Sequence, residues 1–382
     1  MRRQLPVIQV GPVSDDLAES VSEVNKNFMR GLASRYQFVP VLHRRKYGLT
    51  TQSQLRLVNA YYFCKHLALW VLILVRHRPD VAHYAVSSDW AMYKGLVFLQ
   101  VARLFGARTI GHLHSGAFLD FWNALPPRRK AWARRQLCAL DAVVVLSDFW
   151  RQALLRTMTL PPAKLQVVNN LIDPDFEAAA LQLPIDRAPG CFLALGVMSR
   201  DKGVLDLLRA AAIARAQVPF NLAVIGLERE RGILQEVRQF LREHRLADAV
   251  EIRSAVHGQE KLRAFQQSSV LVLPSYYENF SLVLLEGAAA GQGLITTPTG
   301  AAPEFFAPTD AARFVRPGDC EGLARAMIEL AADPAQRMRL AQAARDVYRT
   351  RLARTRILSS LDAVYRAVLE LPGRRIAGGV PA

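Results

Sequence analysis

The sequence predicts an α/β protein of two domains, and three observations predict it. Short apolar runs rich in β-branched residues alternate with helix-length segments along the whole chain, the pattern of parallel sheets covered by helices. The 382 residues, 51% of them hydrophobic, suit two cores better than one. A stretch rich in Pro and polar residues, LQLPIDRAPG at 181–190, separates two series of such runs and is the expected boundary.

Composition narrows the classes. The net charge is +16, from 49 basic and 33 acidic residues, which points to an anionic partner. Cys64, Cys138, Cys191 and Cys320 are isolated, with no C-x-x-C pair. A disulfide framework or a zinc site is therefore not expected, and a reducing cytosol fits. The start, MRRQLPVIQVGP, enters a short strand directly and lacks the apolar core of a signal peptide. No zinc-finger or RRM-like pattern accompanies the positive charge, so nucleic acid is not the expected partner.

In the first half, residues 5–10 read as a strand, and Gly11 opens a loop. Ser20 and Glu23 form a capping box for a helix over 21–33. A strand at 38–42 follows. The most apolar run, YYFCKHLALWVLILV at 61–75, is too short to span a bilayer, which takes about 20 residues, and is interrupted by Lys65 and His66. A buried helix is expected there, leading to a strand at 81–84. The strand at 109–113 runs into His112-Leu113-His114-Ser115-Gly116. Alternation places both histidines on one face, and no third metal ligand is evident. His114, before a small-residue turn at the carboxyl end of the strand, is a candidate site residue; His112 supports it at most. In FLDFWNALPPRRKAWARRQL, 118–137, Phe118, Phe121, Trp122 and Trp132 are interleaved with Arg128, Arg129, Lys130, Arg134 and Arg135. Two readings stand: contact with an anionic membrane surface, or a solvated basic helix face. Strands are expected at 142–146 and 167–173.

The second half begins with a strand at 191–196. It ends on Gly196, and Arg200, Lys202 and Gly203 precede an amphipathic helix. Strands at 222–226, ending on Gly226, and at 250–253 follow. Residues 268–304 then read strand, loop, helix, strand: an apolar run at 270–273 closed by Pro274, a polar aromatic loop, a helix capped by Ser281 and stopped by Gly291, and a strand at 294–297. The loop and helix start lie at the carboxyl end of a parallel strand, where open α/β sheets bind ligands. The helix is apolar nearly all round except for Glu286. A carboxylate there costs several kcal/mol unless paired. Either it is salt-bridged to a core Arg or lies at a rim position, or it accepts hydrogen bonds from ligand hydroxyls. Glu278 lies eight residues earlier, so two acids flank helix-start amides suited to a phosphate, near Ser281 and Leu282. Such a site suits a nucleotide joined to a sugar. From Pro334 onward the chain reads as helical and rich in arginine, with a last helix at 361–369 and a disordered tail.

Glu278 and Glu286, with seven residues between, resemble the E-x7-E motif of retaining glycosyltransferases of the GT-B fold, family four. Gly291, Thr296, Gly300 and Glu304 fit the pattern that follows it, and RFVRPGD fits the family's V-x-P-G-D turn. The resemblance implies two Rossmann-like domains facing each other across a cleft, with a C-terminal helix crossing back to the first. It puts the acceptor-side domain at 1–183, the nucleotide-sugar domain at 190–358, the returning helix at 359–372 and a tail at 373–382. It implies transfer of a hexose from a UDP- or GDP-sugar to an acceptor hydroxyl with retention, without a metal or other cofactor. Lys202 would neutralise the diphosphate. The family arginine position holds Val197, with Arg200 three residues on. Glu286 would hold the ribose and Glu278 the sugar, with His114 beside it. Gly196 and Gly226 would lie near the nucleotide, and Gly11 stands where the family carries paired glycines. The family further implies a glycan or lipid-linked acceptor, in cell-surface polysaccharide or glycolipid synthesis, in the cytoplasm or at the inner face of the membrane. Two rivals stand beside this: a GT-B nucleotide-sugar epimerase, and a non-catalytic nucleotide-sugar or membrane adaptor.

Overall fold

The structure is a computed structural model, and it describes residues 5–14, 20–42 and 57–372. Asp15, Asp16 and the tail from 373 lie outside the described residues. Contacts divide the chain into two compact units: residues up to Leu171 together with those from Thr355 on, and Ile172–Arg354.

The first unit is built on β1 (Val7–Val13), β2 (Gln37–Leu42), β3 (Val81–Val86), β4 (Arg108–Leu113), β5 (Ala142–Val145) and β6 (Leu165–Val167), all parallel, in the order β2-β1-β3-β4-β5-β6. Helices cover both faces, so the inner strands lose alternation; β5 is Ala-Val-Val-Val and wholly buried. Trp70, Tyr84 and Phe98 pack together in its core, and the Trp70 indole donates to the carbonyl of Phe98 at 2.8 Å. Three expectations need correction. Gly11 lies inside β1, opposite Tyr84, rather than opening a loop. The strand expected at 167–173 is instead Leu165–Val167, and Asp173, at the end of the expected run, caps the next helix, accepting from the amides of Asp175 and Phe176. The apolar run at 61–75 forms a helix, Leu57–His77, but is not buried all round: Tyr61, Leu72 and Val75 face outward.

The C-terminal helix, Arg354–Leu369, lies in this first unit from Thr355 on. Asp362 is 1% exposed and accepts from Arg35 at 2.6 Å, from the Tyr36 hydroxyl at 2.8 Å and from Arg366 at 2.8 Å. Tyr365, one turn on, reaches His83.

The second unit repeats the plan with β7 (Cys191–Leu195), β8 (Asn221–Ile225), β9 (Val250–Arg253), β10 (Val270–Leu273), β11 (Gly293–Thr296) and β12 (Arg313–Phe314), parallel, in the order β12-β11-β10-β7-β8-β9. Strand order reverses between β7 and β10. That is the point at which open sheets of this kind leave a crevice for a ligand. The segment 181–190 lies in this unit, held by the helix Pro334–Val347: Arg337 donates to the Arg187 carbonyl at 2.9 Å and Arg345 to that of Leu183 at 2.7 Å.

Asp362→Ala leaves the buried Tyr36 hydroxyl without its acceptor, whereas Arg35 and Arg366, each 60% exposed, return to water. Loss of about 1–3 kcal/mol is expected, read as a lower urea midpoint.

Candidate functional site

The loop after β10 is held on two sides. On one side is the turn after β7, a 3₁₀ turn over Arg200–Lys202 that ends on Gly203 at φ +69°. The amide of Tyr276 donates to the Asp201 carbonyl at 2.8 Å, and a Cβ at Gly203 would stand 2.2 Å from the Pro274 carbonyl oxygen. Only glycine permits both that φ and that approach. On the other side is the loop after β11: the amide of Ala301 donates to the Asn279 carbonyl at 2.8 Å, and the Thr297 hydroxyl donates to the Ser275 carbonyl at 2.6 Å.

Wound together, these loops bring Lys202 to Glu278. The Lys202 ammonium donates to a Glu278 carboxylate oxygen at 2.9 Å and to the Tyr277 carbonyl at 3.3 Å, and Ser275 donates to the same carboxylate oxygen at 3.0 Å. Both charged side chains are partly accessible, Lys202 at 25% and Glu278 at 19%. The helix Leu282–Ala289 follows this loop directly, capped by Ser281, whose hydroxyl accepts from the amide of Leu284. Its first-turn amides precede any intrahelical acceptor.

Glu286 is fully buried on this helix, and Lys261, from the helix Gly258–Gln267, donates to its carboxylate. Of the readings open in the sequence, the ion pair is present, but with Lys261 in place of a core arginine, and full burial of Glu286 excludes a rim position. Lys261 also lies over the ring of Phe176, 5.3 Å from its centroid. Arg200 is taken up elsewhere. It binds Glu230 at 2.8 Å and Glu236 at 2.5 Å, and its amide donates to Glu230 at 3.0 Å. Gly196 and Gly226 touch: a Cβ on Gly226 would fall 1.5 Å from the Gly196 carbonyl oxygen, so the ends of β7 and β8 close on each other through bare backbone.

In the first unit, His114 follows β4, with its ring centroid 4.1 Å from that of His112. His112 is buried, and its Nδ1 lies 3.2 Å from Nε2 of His83, whose Nδ1 lies 2.7 Å from the Tyr365 hydroxyl. Burial pushes His83 down to about 4 and, with the field of His83 added, His114 down to about 3; His112 is lowered by burial and by both neighbouring imidazoles. All three rings are neutral at pH 7. The aromatic residues of 118–137 turn inward: Phe118 and Trp122 are buried and Trp132 stacks on Tyr93. Arg128, Arg129, Arg134 and Arg135 face outward. Among the described residues no group of three His, Cys, Asp or Glu could hold a metal ion, and no helix is long and apolar enough to cross a membrane.

Sequence reasoning missed Ser275, Lys261, His83 and Tyr365. His83 left one signal, a histidine inside an otherwise apolar strand. The partners of the others are set by tertiary contacts that no local pattern marks.

Two family models match the chain in succession: Glycosyltransferase Family 4 over residues 25–176, and Glycosyl transferases group 1 over 175–347. The chain belongs to this family of glycosyltransferases, and its fold is GT-B: two Rossmann-like units, with the C-terminal helix packed in the first. It is 34% identical over 295 residues to a D-inositol 3-phosphate glycosyltransferase of Streptomyces avermitilis, covering 70% of this chain and 62% of that protein. It is 28% identical over 281 residues to a glycogen synthase of Mycobacterium tuberculosis, covering 70% and 64%. The chain thus spans less than two thirds of the length of either relative. Among solved structures, a sucrose-phosphate synthase from Thermosynechococcus elongatus superposes with a TM-score of 0.75 over 96% of this chain and 99% of that one, at 19% identity.

The lowered histidines predict acid lability. An unfolded histidine titrates near 6.5, whereas folded His83 titrates at about 4 and His114 at about 3. Between those values the unfolded chain binds more protons, so stability is full above about pH 6.5 and falls as the pH drops towards 4. Urea midpoints at pH 7.5, 6 and 5 should decline in that order, and His83→Gln should flatten the slope.

Proposed function

We propose that the chain transfers a hexose from a nucleotide diphosphate sugar, a UDP- or GDP-sugar, to a hydroxyl of a glycan or lipid-linked acceptor, with retention of anomeric configuration. The observation that carries this reading is the meeting of Lys202 and Glu278 at the start of the helix Leu282–Ala289. A cation, helix-start amides and a carboxylate in one place suit a diphosphate joined to a hydroxyl-rich sugar. In the reaction the bond from the anomeric carbon to the phosphate oxygen breaks and a bond to the acceptor oxygen forms. The acceptor proton passes to the leaving phosphate. Negative charge grows on that phosphate, and fixed donors aimed at it are the largest catalytic term in such sites. Lys202 and the amides near Ser281 and Leu282 take this role, and Glu278 accepts from sugar hydroxyls. Arg200 would reach a diphosphate only by leaving Glu230 and Glu236, so Lys202 is the cation we assign.

Glu286 is assigned to the ribose hydroxyls. It is paired with Lys261, and a carboxylate paired with a cation presents acceptors only, as a diol requires. Gly196 leaves bare backbone with open space where a nucleotide can approach, and Gly226 lets the Gly196 carbonyl lie against it. From the first unit, His114 is assigned to the sugar.

Lys202→Ala is expected to lower the transfer rate by about a hundredfold or more while the protein stays folded. Glu286→Gln should raise the nucleotide Kd. Measured turnover and nucleotide binding with a panel of UDP-, GDP- and ADP-sugars test this, and near-wild-type values in both variants refute the assignment. Product analysis separates transfer from epimerisation, which needs no acceptor. A non-catalytic adaptor, favoured by Val197 and by the engaged Arg200, would bind nucleotide and turn over nothing.

The outward arginines of the helix Pro127–Ala139 support contact with an anionic membrane surface from the cytoplasmic side. The protein should sediment with anionic liposomes at low salt. Changing Arg128, Arg129, Arg134 and Arg135 to Glu should abolish this; equal sedimentation of both proteins would refute the contact.

A further inference from the structure

Three imidazoles and a phenol form a continuous column in the first unit. Tyr365 comes from the C-terminal helix, His83 from β3, His112 from β4 and His114 from the turn after β4. They are joined by hydrogen bonds of 2.7 Å (Tyr365 to His83) and 3.2 Å (His83 to His112), by a stack of His83 on His112 at 5.3 Å and 16°, and by the 4.1 Å approach of His112 to His114.

The chemistry of the column gives it a direction. A phenol is a better donor than an imidazole N–H, and an imidazole nitrogen is a better acceptor than a phenol oxygen. The Tyr365 hydroxyl therefore donates to Nδ1 of His83. Neutral His83 then carries its proton on Nε2 and donates to Nδ1 of His112. His112 in turn carries its proton on Nε2. His83 and His112 are each left with one tautomer. Packing alone does not account for this arrangement. Nε2 of His112 and Nε2 of His114 are both sealed from solvent without a hydrogen-bond partner among the described residues. Apolar side chains in the same space would avoid that cost, which for a buried polar group is roughly 1–3 kcal/mol.

We propose that Tyr365, His83 and His112 are positioning residues that set the ring orientation of His114, through this one-directional chain and the close ring contact of His112 with His114. The inference rests on the sugar role proposed for His114. It makes the C-terminal helix a part of the site's support rather than a mere closing element of the fold.

Tyr365→Phe tests it, because only the hydroxyl is lost and the ring that packs 5.2 Å from Tyr36 remains. In ¹⁵N-histidine NMR spectra of the full chain, wild-type His83 and His112 should each show one Nε2–H tautomer. In Y365F both should become mixtures, and the His114 signals should shift. The transfer kcat should fall by about tenfold with donor KM within about twofold, because a displaced positioning group costs rate rather than binding. His112→Leu should give the same split. Unchanged His83 and His114 signals in Y365F would overturn the chain whether or not transfer is seen. Altered tautomers with unchanged kcat would overturn its positioning role. A wild type that responds in the spectra but transfers no sugar would count against the transferase reading instead.

Discussion

The site in the second unit depends on one close approach, the turn after β7 lying against the loop after β10. With the Pro274 carbonyl where a Cβ at position 203 would stand, and the Tyr276 amide bonded to Asp201, the two loops share one backbone geometry. Lys202 and Glu278 are then neighbours by construction, not by the reach of flexible side chains. Their pairing at partial exposure matters for chemistry. A fully buried pair would resist exchange, because separating it strands both charges. A fully exposed pair would be screened and weakly ordered. With only part of its surface in water, the lysine is held in place and still able to turn to an incoming anion.

The helix Leu282–Ala289 shows the same economy at its two ends. Its start presents first-turn amides that precede any intrahelical acceptor, while its end is covered by cations. The Ala290 carbonyl accepts from Arg187 and from Arg345, the latter at 2.8 Å, at the negative end of the helix dipole. Burial, together with neighbouring arginines, lowers the pKa of both. Between the two ends sits Glu286. An apolar residue there would pack without the desolvation cost of a buried ion pair. That a carboxylate and its lysine stand in its place is a reason to think the site uses the charge.

The path from sequence to site was open where the chemistry is local. Strand ends, glycine stops and the spacing of Glu278 and Glu286 are short-range signals, and they led to loops that the structure brings together. Lys202 was legible for the same reason, since it directly precedes the glycine that the turn needs. Arg200 looked equally available, but Glu230 and Glu236, which occupy it, come from the turn and helix after the next strand. Lys261 gave no signal at all, because its helix carries several charged residues and only the packing of one helix on another selects it. The run at 61–75 misled for a related reason: high average hydrophobicity cannot say which side of a helix a sheet covers, and this one leaves Leu72 and Val75 outside.

The C-terminal helix joins the packing of the first unit to its chemistry. Asp362 and Tyr365 are three residues apart, so they share one helical face. Asp362 is anchored by Arg35 and Tyr36, which lie between the first helix and β2, and this anchoring fixes the rotation of the helix about its axis. With rotation fixed, the Tyr365 hydroxyl has one address, Nδ1 of His83, and it is buried there with a pKa raised mainly by desolvation, so it stays protonated and able to donate. Residues far apart in sequence thus determine which nitrogen of a strand histidine carries its proton. A helix that only covered apolar surface would need neither the aspartate nor the phenol, and the presence of both, one fixing the helix on Arg35 and Tyr36 and the other addressing His83, is the physical reason for the positioning role inferred for it.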